Sequence, residues 1–234
     1  MIQVYAVDIS QPLGPGMYER LMTRVSPEKS ARIRRFYRME ERLRGLIADI
    51  LIRSIIIPKT GMENKEIEFY TNDYGKPFLK GKEDFHFNLS HSGIWVVGAV
   101  DDQPVGIDVE NIQTIDLDIS KNYYSPDEHR ELMSKEDKFS YFFTLWSLKE
   151  SYIKIVGKGL SLPLNSFSIT FYGPEDIRIK AEGRLLEDIF FHQYHIHKDY
   201  KMAVCAHHTN FPGKVTIKTM PQLAHEFLEK YGKN

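Results

Sequence analysis

The chain alternates between short stretches with the two-residue hydrophobic period of a β-strand and longer stretches with the spacing of an amphipathic helix. The strand pattern occupies residues 1–8, 85–90, 95–100 and 105–110. The helical pattern occupies residues 26–57, with a break expected at 38–41, and residues 142–154 and 223–231. Strands and helices mixed in this way predict an α+β fold.

The same order of elements occurs twice, about one hundred residues apart. Each copy begins with a strand that ends near an aspartate and continues with a helix start, at Ser26-Pro27-Glu28 and at Ser125-Pro126-Asp127. Serine caps a first turn and proline fits inside it, so both tripeptides predict helix N-termini. We therefore expect two similar α/β halves, residues 1–104 and 105–234, related by approximate twofold symmetry with a site at their junction.

Composition narrows the class of protein. The 234 residues are 42% hydrophobic and 27% charged, which allows a substantial core, and the net charge of −1 gives no field that would attract nucleic acid or membranes. The single cysteine, Cys205, excludes an internal disulfide and is interpreted as a buried thiol in a reducing compartment. The N-terminus lacks the pattern of a signal peptide, and no apolar run is long enough to span a bilayer. We expect a cytoplasmic protein that binds neither nucleic acid nor membranes.

Three acidic residues are placed where a strand and a helix could bring them together. Asp108 and Glu110 are two apart in a predicted strand and share one face, with Gly106 beside them. Glu150 shares a helix face with Lys154, one turn further on. If the two faces meet, the carboxylates form an oxygen-rich site for a hard cation such as Mg²⁺, and the lysine suits a phosphate oxygen. The alternative is that the strand acids are exposed and that the helix pair is an ordinary ion pair.

A run of basic residues lies along the first long helix. Lys29 and Arg32 are three apart and share a face, and Arg44 follows further along. Lysine and arginine can cradle a phosphate group. Acidic residues such as Glu41 are interleaved with them, so a solvated amphipathic face explains the same pattern.

Two polar segments are candidates for further contacts with a ligand. Ser90-His91-Ser92-Gly93 follows a predicted strand, and we expect it to turn there and form a pocket of backbone donors for an anion, with His91 as a further donor. The loop Tyr74-Gly75-Lys76-Pro77 is either a plain turn or a flat rim for a purine. Several histidines lie near the C-terminus, but no cysteine or carboxylate pattern accompanies them, so zinc is not expected.

Together these segments resemble the motifs of Sfp-type phosphopantetheinyl transferases. Gly106–Glu110 and Phe142–Lys154 resemble the two hallmark motifs of that family, and Phe87–Ser92 resembles a third. Further similarity lies at Ser26–Lys29, Tyr74–Pro77 and Gly157–Leu164. The resemblance covers nearly the whole chain and weakens after about Ile169. The monomeric pseudo-dimer of that family agrees with the duplication described above.

The resemblance implies an activity and its partners. The enzyme would transfer 4'-phosphopantetheine from coenzyme A to a serine of an apo peptidyl or acyl carrier protein and release adenosine 3',5'-bisphosphate. Mg²⁺, or Mn²⁺ in its place, is the implied cofactor. Peptidyl carrier domains of non-ribosomal peptide synthetases, and hence antibiotic biosynthesis, are the favoured partners of an enzyme expected to be a monomer.

The resemblance also implies roles for individual residues. Asp108, Glu110 and Glu150 would hold Mg²⁺, with Glu150 also the general base and Lys154 neutralising charge. The implied contacts to coenzyme A come from Lys29, Arg32, Arg44 and His91 at the 3'-phosphate, from Ser90, Lys154 and Asp108 at the pyrophosphate, and from Tyr74, Gly75, Lys76 and Pro77 around the adenine. Gly45 stands where a relative can carry a hydroxyl residue, so a side-chain contact is lost there.

The carrier protein is expected to dock after Glu110 and around residues 158–169. Apolar candidates for its anchors, about half of which we expect to fill the core instead, are Ile112, Ile115, Leu117, Ile119, Tyr123 and Tyr124. Two other functions remain open at this point. A Mg²⁺-dependent nucleotide phosphohydrolase would use the same carboxylates without a carrier, and a non-catalytic coenzyme A-binding module would not need all three of them.

Overall fold

A computed structural model describes residues 1–173 and 175–231 of the chain. The helices are α1 (Met17–Met22), α2 (Pro27–Arg34), α3 (Met39–Thr60), α4 (Ser120–Tyr123), α5 (Pro126–Ser134), α6 (Lys138–Val156) and α7 (Met220–Tyr231). The strands are β1 (Gln3–Asp8), β2 (Phe69–Thr71), β3 (Pro77–Leu79), β4 (His86–Ser92), β5 (Trp95–Asp101), β6 (Val105–Asn111), β7 (Phe167–Phe171), β8 (Ile177–Ala181), β9 (Arg184–Leu185), β10 (Phe190–Gln193), β11 (Tyr200–Ala206) and β12 (Thr216–Thr219). The predicted α+β class is confirmed.

The two main sheets repeat one arrangement. In the first, β1 pairs antiparallel with β5, and β5 pairs antiparallel with β4. In the second, β6 pairs antiparallel with β11, and β11 pairs antiparallel with β10. A long helix packs on the central strand of the three in each half, α3 on β5 and α6 on β11. The predicted duplication into two similar α/β halves is therefore confirmed.

Both predicted helix starts are present. The Ser26 hydroxyl accepts a hydrogen bond from the Lys29 backbone N–H at 3.2 Å and caps α2. Ser125 caps α5 in a reciprocal capping box with Glu128. The break in the first helical stretch lies at residues 35–38, slightly before its predicted position. These local signals were readable because capping depends on residues within one turn of each other.

The two halves meet where β4 lies against β6. Asn88 of β4 accepts a hydrogen bond from the backbone N–H of Ile107 at 3.0 Å. Ser90 and Ser92 follow on the same side of β4, because alternate residues of a strand share a face, and they also reach β6. Polar side chains thus connect the two sheets along one edge. The predicted metal ligands Asp108 and Glu110 lie at this edge.

The last described elements return to the first half. β12 pairs in parallel with β1, and α7 packs against α1 and α3. The predicted closing helix is confirmed as α7, which buries Leu223 and Phe227 in the hydrophobic core of the first half. Among the described residues, no helix combines the length and the apolar character that crossing a membrane requires. Cys205 is fully buried, and burial raises the pKa of its thiol, as expected of an unreactive cysteine.

Candidate active site

The two faces of β6 differ as predicted, one apolar and one acidic. Ile107 and Val109 are fully buried in the core between the sheets. Asp108 and Glu110 lie on the opposite side of the strand, where Lys154 of α6 reaches Asp108. β6 therefore contributes two carboxylates to the junction between the two halves, and α6 packs over this face of the strand.

Asp108 is at the centre of the junction. Its Oδ1 atom accepts hydrogen bonds from Lys154 Nζ at 2.6 Å and from Ser90 Oγ at 2.8 Å. Lys154 Nζ also donates to the carbonyl of Ile107 at 3.1 Å, which fixes the ammonium group. The other oxygen, Oδ2, is buried and has no hydrogen-bond partner among the described residues. A buried carboxylate oxygen without a donor is costly, so Oδ2 is suited to a cation.

Glu110 and Glu150 share the electrostatic environment of Asp108. Burial, followed by the charge of Asp108, raises the pKa of Glu110 to about 7. The same two causes raise the pKa of Glu150, in the same order. Like charges and burial both disfavour the ionised form. The three carboxylates are thus close enough to repel one another, although their oxygens do not all lie within 4.8 Å of one another.

A second acidic cluster lies at the far end of β4. Asp101, Asp102 and His208 bring one potential ligand atom each within 4.8 Å of the others. The Met1 amino group already lies there, 3.1 Å from Asp101 and 3.3 Å from Asp102, and His208 Nε2 is 2.7 Å from Asp101. Asp101 is paired with the first residue of β4, whereas Ser92 is the last. Sequence reasoning found no carboxylate partner for the C-terminal histidines because this contact joins residues 107 positions apart.

A cavity of 310 Å³ opens beside the carboxylates. Residues from both halves line it, among them Lys29, Arg32, Ser90, His91 and Lys154. Lys154 connects the cavity to the carboxylates, because it lines the cavity and its ammonium group is bonded to Asp108. The predicted cations therefore lie next to Asp108, one of the predicted carboxylates.

A larger cavity of 1290 Å³ adjoins the first and shares Lys29 and Arg32 with it. Gly75 and Pro77 line the larger cavity from the loop between β2 and β3. The loop was predicted as a rim, and Gly75 has a φ of 85°, which explains the glycine at that turn. The predicted adenine rim thus lies next to the predicted phosphate contacts.

The other two loop residues have different surroundings. The Tyr74 side chain is exposed. Lys76 Nζ donates to the carbonyl of Ile155 at 3.1 Å, and burial lowers the pKa of Lys76 to about 8. Asn72 Nδ2 donates to the carbonyl of Gly157 at 2.9 Å. Lys76 and Asn72 therefore fasten the loop to the C-terminal end of α6.

The remaining predicted contacts flank the smaller cavity. Lys29 Nζ is 3.9 Å from Asp49, and burial lowers the pKa of Lys29. Arg44 donates to the carbonyl of Gly93 at 2.8 Å and to Glu41 at 2.6 Å. Desolvation, followed by the charge of Arg44, lowers the pKa of His91, although this side chain still reaches solvent. A bound anion would stabilise the positive charge of these groups, because it offsets their mutual repulsion.

The predicted turn at Ser90–Gly93 is wrong. Ser90, His91 and Ser92 belong to β4 and pair with β5, and the chain turns at Gly93 and Ile94 instead. These residues are polar because their side chains face β6 and the cavity, and this polarity imitated a turn. Ser92 was predicted only as part of this turn, whereas its hydroxyl donates to Glu110 at 3.0 Å.

The six candidate carrier anchors differ in their burial. Tyr124 is buried, and its hydroxyl donates to the carbonyl of Phe142 at 2.8 Å. Ile119 is 38% exposed. Four others are partly buried and pack against the hydrophobic core of the second half: Ile112, Ile115, Leu117 and Tyr123.

Comparison with known proteins agrees with this geometry. Residues 104–205 match the family model of the 4'-phosphopantetheinyl transferase superfamily, and residues 14–103 match the model of the N-terminal part of a 4'-phosphopantetheinyl transferase. The 4'-phosphopantetheinyl transferase Sfp of Bacillus subtilis (strain 168) is 40% identical over 224 residues, which cover 95% of this chain and all of that protein. The chain belongs to the 4'-phosphopantetheinyl transferase superfamily. It is an enzyme of this class, and its smaller cavity lies between the two matched regions.

Other relatives of this transferase align over most of their length. The 4'-phosphopantetheinyl transferase psf-1 of Bacillus pumilus is 40% identical over 217 residues, covering 87% of this chain and 89% of that one. The 4'-phosphopantetheinyl transferase gsp of Aneurinibacillus migulanus is 33% identical over 232 residues, covering 98% and 96%. The similarity therefore extends over both halves of the transferase and includes the junction between them.

Proposed function

We propose that this transferase moves 4'-phosphopantetheine from coenzyme A to a serine of an apo carrier protein, with peptidyl carrier domains of non-ribosomal peptide synthetases as its partners. One observation carries the proposal. The cavity that holds Lys29, Arg32 and His91 is joined through Lys154 to the Asp108 carboxylate. Cations suited to phosphate and carboxylates suited to a metal ion are thus adjacent, as a phosphorylated substrate with a metal-bound pyrophosphate requires.

The phosphate groups of coenzyme A would be bound mainly by the first half. Lys29 and Arg32 approach the cavity from α2, and His91 approaches from β4. The 3'-phosphate would meet these three groups, and Arg44 would hold the β4–β5 turn through the Gly93 carbonyl. The adenine would lie towards the loop of Tyr74–Pro77, whose glycine and proline line the adjoining cavity.

The carboxylates fit a hard divalent cation. Asp108 Oδ2 is buried without a hydrogen-bond partner among the described residues, and Glu110 and Glu150 are held near it with raised pKa values. We assign Asp108, Glu110 and Glu150 as the residues that would hold Mg²⁺. When bound, Mg²⁺ would supply charge neutralisation for the pyrophosphate oxygens.

The chain's own groups account for the proton and the leaving group. The carrier serine oxygen forms a bond to the phosphorus that bears the pantetheine, and the bond from that phosphorus to the bridging oxygen breaks. Adenosine 3',5'-bisphosphate departs with the electron pair. The serine proton passes to a carboxylate oxygen of Glu150, and burial together with the charge of Asp108 raises the pKa of this carboxylate, which makes it a stronger base. Lys154 is fixed by Ile107 and Asp108 and would donate to the departing oxygen.

The carrier would reach this site over the surface of the second half. Ile119 offers an exposed apolar contact beside α4, and the partly buried Tyr123 lies in that helix. Because the two halves already form the junction within one chain, we propose that the enzyme acts as a monomer. The buried Cys205 thiol agrees with a reducing compartment, so we place the reaction in the cytoplasm.

Mass spectrometry of the carrier tests the proposal. The enzyme is incubated with coenzyme A, Mg²⁺ and several apo carrier domains, and each carrier is weighed. We expect the mass of one phosphopantetheine group on the carrier and an equal amount of adenosine 3',5'-bisphosphate. Unmodified carriers in the presence of folded enzyme would reject the transfer, and release of phosphate without a carrier would indicate a nucleotide phosphohydrolase instead.

A further inference from the structure

Ser92 occupies a position between the two halves of the site. It is the last residue of β4, and its hydroxyl lies 3.0 Å from Glu110 Oε2 and 3.1 Å from the backbone nitrogen of Asn111. β4 belongs to the first half and Glu110 to the second. A single hydroxyl group thus connects the coenzyme A side of the junction to one of the three carboxylates.

The two contacts fix the direction of the hydroxyl proton. A backbone N–H can only donate, so the Asn111 amide uses a lone pair of the Ser92 oxygen. The hydroxyl proton of Ser92 is then directed to Glu110, where it forms a bond to a carboxylate oxygen. Bonds between a neutral donor and a charged acceptor are stronger than neutral ones, which makes this contact an effective restraint on the Glu110 side chain.

The turn that follows Ser92 is itself held by Arg44 and Tyr200. The Gly93 carbonyl accepts from Arg44 at 2.8 Å, and the Ile94 backbone N–H donates to the Tyr200 hydroxyl at 3.1 Å. A side-chain carbon on Gly93 would overlap this hydroxyl, so the turn and Tyr200 are in close contact. Ser92 therefore projects from a rigid support, and its hydroxyl cannot follow Glu110 if that side chain moves away.

A comparable arrangement holds Asp108. Ser90, two residues before Ser92, donates to Asp108 Oδ1 at 2.8 Å and leaves Oδ2 without a partner among the described residues. In each case a β4 serine restrains one oxygen of a β6 carboxylate. Outer hydrogen bonds of this kind orient metal ligands in proteins and affect metal affinity strongly.

We propose that Ser92 is a positioning residue that sets the orientation of Glu110 for Mg²⁺. The inference rests on the proposed role of Glu110 as a metal ligand. It adds a residue of the first half to the machinery of a metal site whose ligands all come from the second half. It follows that Mg²⁺ affinity depends on the hydroxyl at position 92 even though this residue is not itself a ligand.

The experiment compares Mg²⁺ binding in Ser92→Ala and Ser92→Thr. Mg²⁺ is titrated by calorimetry into each full-length variant saturated with coenzyme A, without any carrier. Loss of the hydroxyl should weaken Mg²⁺ binding about tenfold, a typical effect of removing such an outer contact. Threonine retains the hydroxyl and should restore the wild-type affinity. Ser134→Ala, on the exposed end of α5, is the matched control and should bind Mg²⁺ as the wild type does.

Glu110→Gln distinguishes a failure of the proposed role of Ser92 from a failure of the proposed metal site. If Glu110→Gln binds Mg²⁺ normally, Glu110 is not a ligand and the proposed metal site is wrong. If Glu110→Gln weakens binding while Ser92→Ala does not, the metal site stands and the role of Ser92 is overturned. In the double variant, Ser92→Ala should add little to Glu110→Gln, because the hydroxyl acts through that side chain. If binding by Glu110→Gln is too weak for this cycle, the alanine and threonine variants decide the question alone.

Discussion

Gly106 of β6 lies so close to α6 that a side-chain carbon on it would overlap the carbonyl oxygen of Ser151. The same carbon would be 2.8 Å from the amide nitrogen of Ile155. No positive φ accompanies this glycine, so it is required for space and not for backbone conformation. The contact allows the helix that carries Glu150 to approach the strand that carries Asp108.

Gly106→Ala should therefore destabilise the enzyme and impair the site together. The methyl group has no space against helix backbone, and overpacking of this kind costs about 1–3 kcal/mol. Chemical unfolding measures the loss of stability, and calorimetry measures Mg²⁺ binding. A variant with unchanged stability would show that α6 can move away from β6 without cost.

Gly45→Ala should have the opposite effect on stability. Gly45 lies inside α3, and a side-chain carbon there would be 3.5 Å from Ile33 and 3.6 Å from Phe36, which is ordinary contact. Glycine inside a helix costs about 0.5–1 kcal/mol relative to alanine, so the variant should gain that amount. The same unfolding experiment serves as the control for Gly106→Ala, and a loss of stability at Gly45 would contradict the geometry.

Lys149 and Glu128 form a buried ion pair that fastens the loop before β7 to α6. Lys149 Nζ lies 2.9 Å from Glu128 Oε2 and also donates to the carbonyls of Leu164 and Phe167. The other Glu128 oxygen accepts from the Ile169 backbone N–H at 2.7 Å. The pair thus holds together α5, α6 and the segment that leads into β7.

Lys149→Met should cost about 3–5 kcal/mol, because it leaves the Glu128 charge buried without its partner. Adding Glu128→Gln should recover part of this loss, since the unpaired charge is then removed. The free energy of unfolding of both single variants and the double variant tests the prediction. Strictly additive losses would show that the two side chains are not coupled.

The stability of the metal-free enzyme should fall as the pH rises from about 4.5 to about 7. The pKa of Glu110 is raised from 4.5 to about 7 in the folded protein, mainly by burial. The folded state then binds this proton more tightly than the unfolded chain, so the stabilisation is complete below pH 4.5 and is lost by pH 7. Melting temperatures across this range, measured with a chelator, should show the decline.

Glu110→Gln and Mg²⁺ provide the controls for this pH profile. The glutamine variant has no proton to lose at position 110, so its melting temperature should change less over the same range. Mg²⁺ should raise the melting temperature of the wild type most at the upper end, where Glu110 is ionised. A wild-type profile identical to that of the variant would mean that the Glu110 pKa is not raised.

Glu150→Gln should abolish transfer while coenzyme A still binds. Loss of a general base reduces kcat by about 10²–10⁴-fold, and loss of a metal ligand adds to this. The coenzyme A contacts from Lys29 and Arg32 remain in the variant, so calorimetry should detect the substrate. Near-normal turnover would show that Glu150 has neither proposed role.

Short-range features of the fold were accessible from the sequence. The face of β6 that carries Asp108 and Glu110 follows from the two-residue strand period, and the helix that carries Glu150 and Lys154 follows from helical spacing. The helix caps and the repeated element order were readable for the same reason. Each strand, helix and cap signal is complete within a few residues of the chain, and the repeat is a series of such signals.

Other features depend on which distant segments meet. The sequence gives no sign that Lys149 would be buried, because Glu128 reaches it only in the folded structure. Ser92 resembled part of a turn because its polarity is explained by a partner strand, not by its neighbours in sequence. Tertiary contacts determine both the burial of Lys149 and the role of Ser92, and the residue pattern of one segment does not reveal such contacts.

Two strands far apart in sequence lie side by side, with β12 against β1 in one parallel pair. During synthesis, β1 leaves the ribosome about two hundred residues before β12. Until then β1 has β5 on one side and an open edge on the other, and open strand edges are prone to pair with other chains. The first half therefore cannot complete its sheet before the second half has been made. A version of the chain cut before residue 216 would keep this edge exposed.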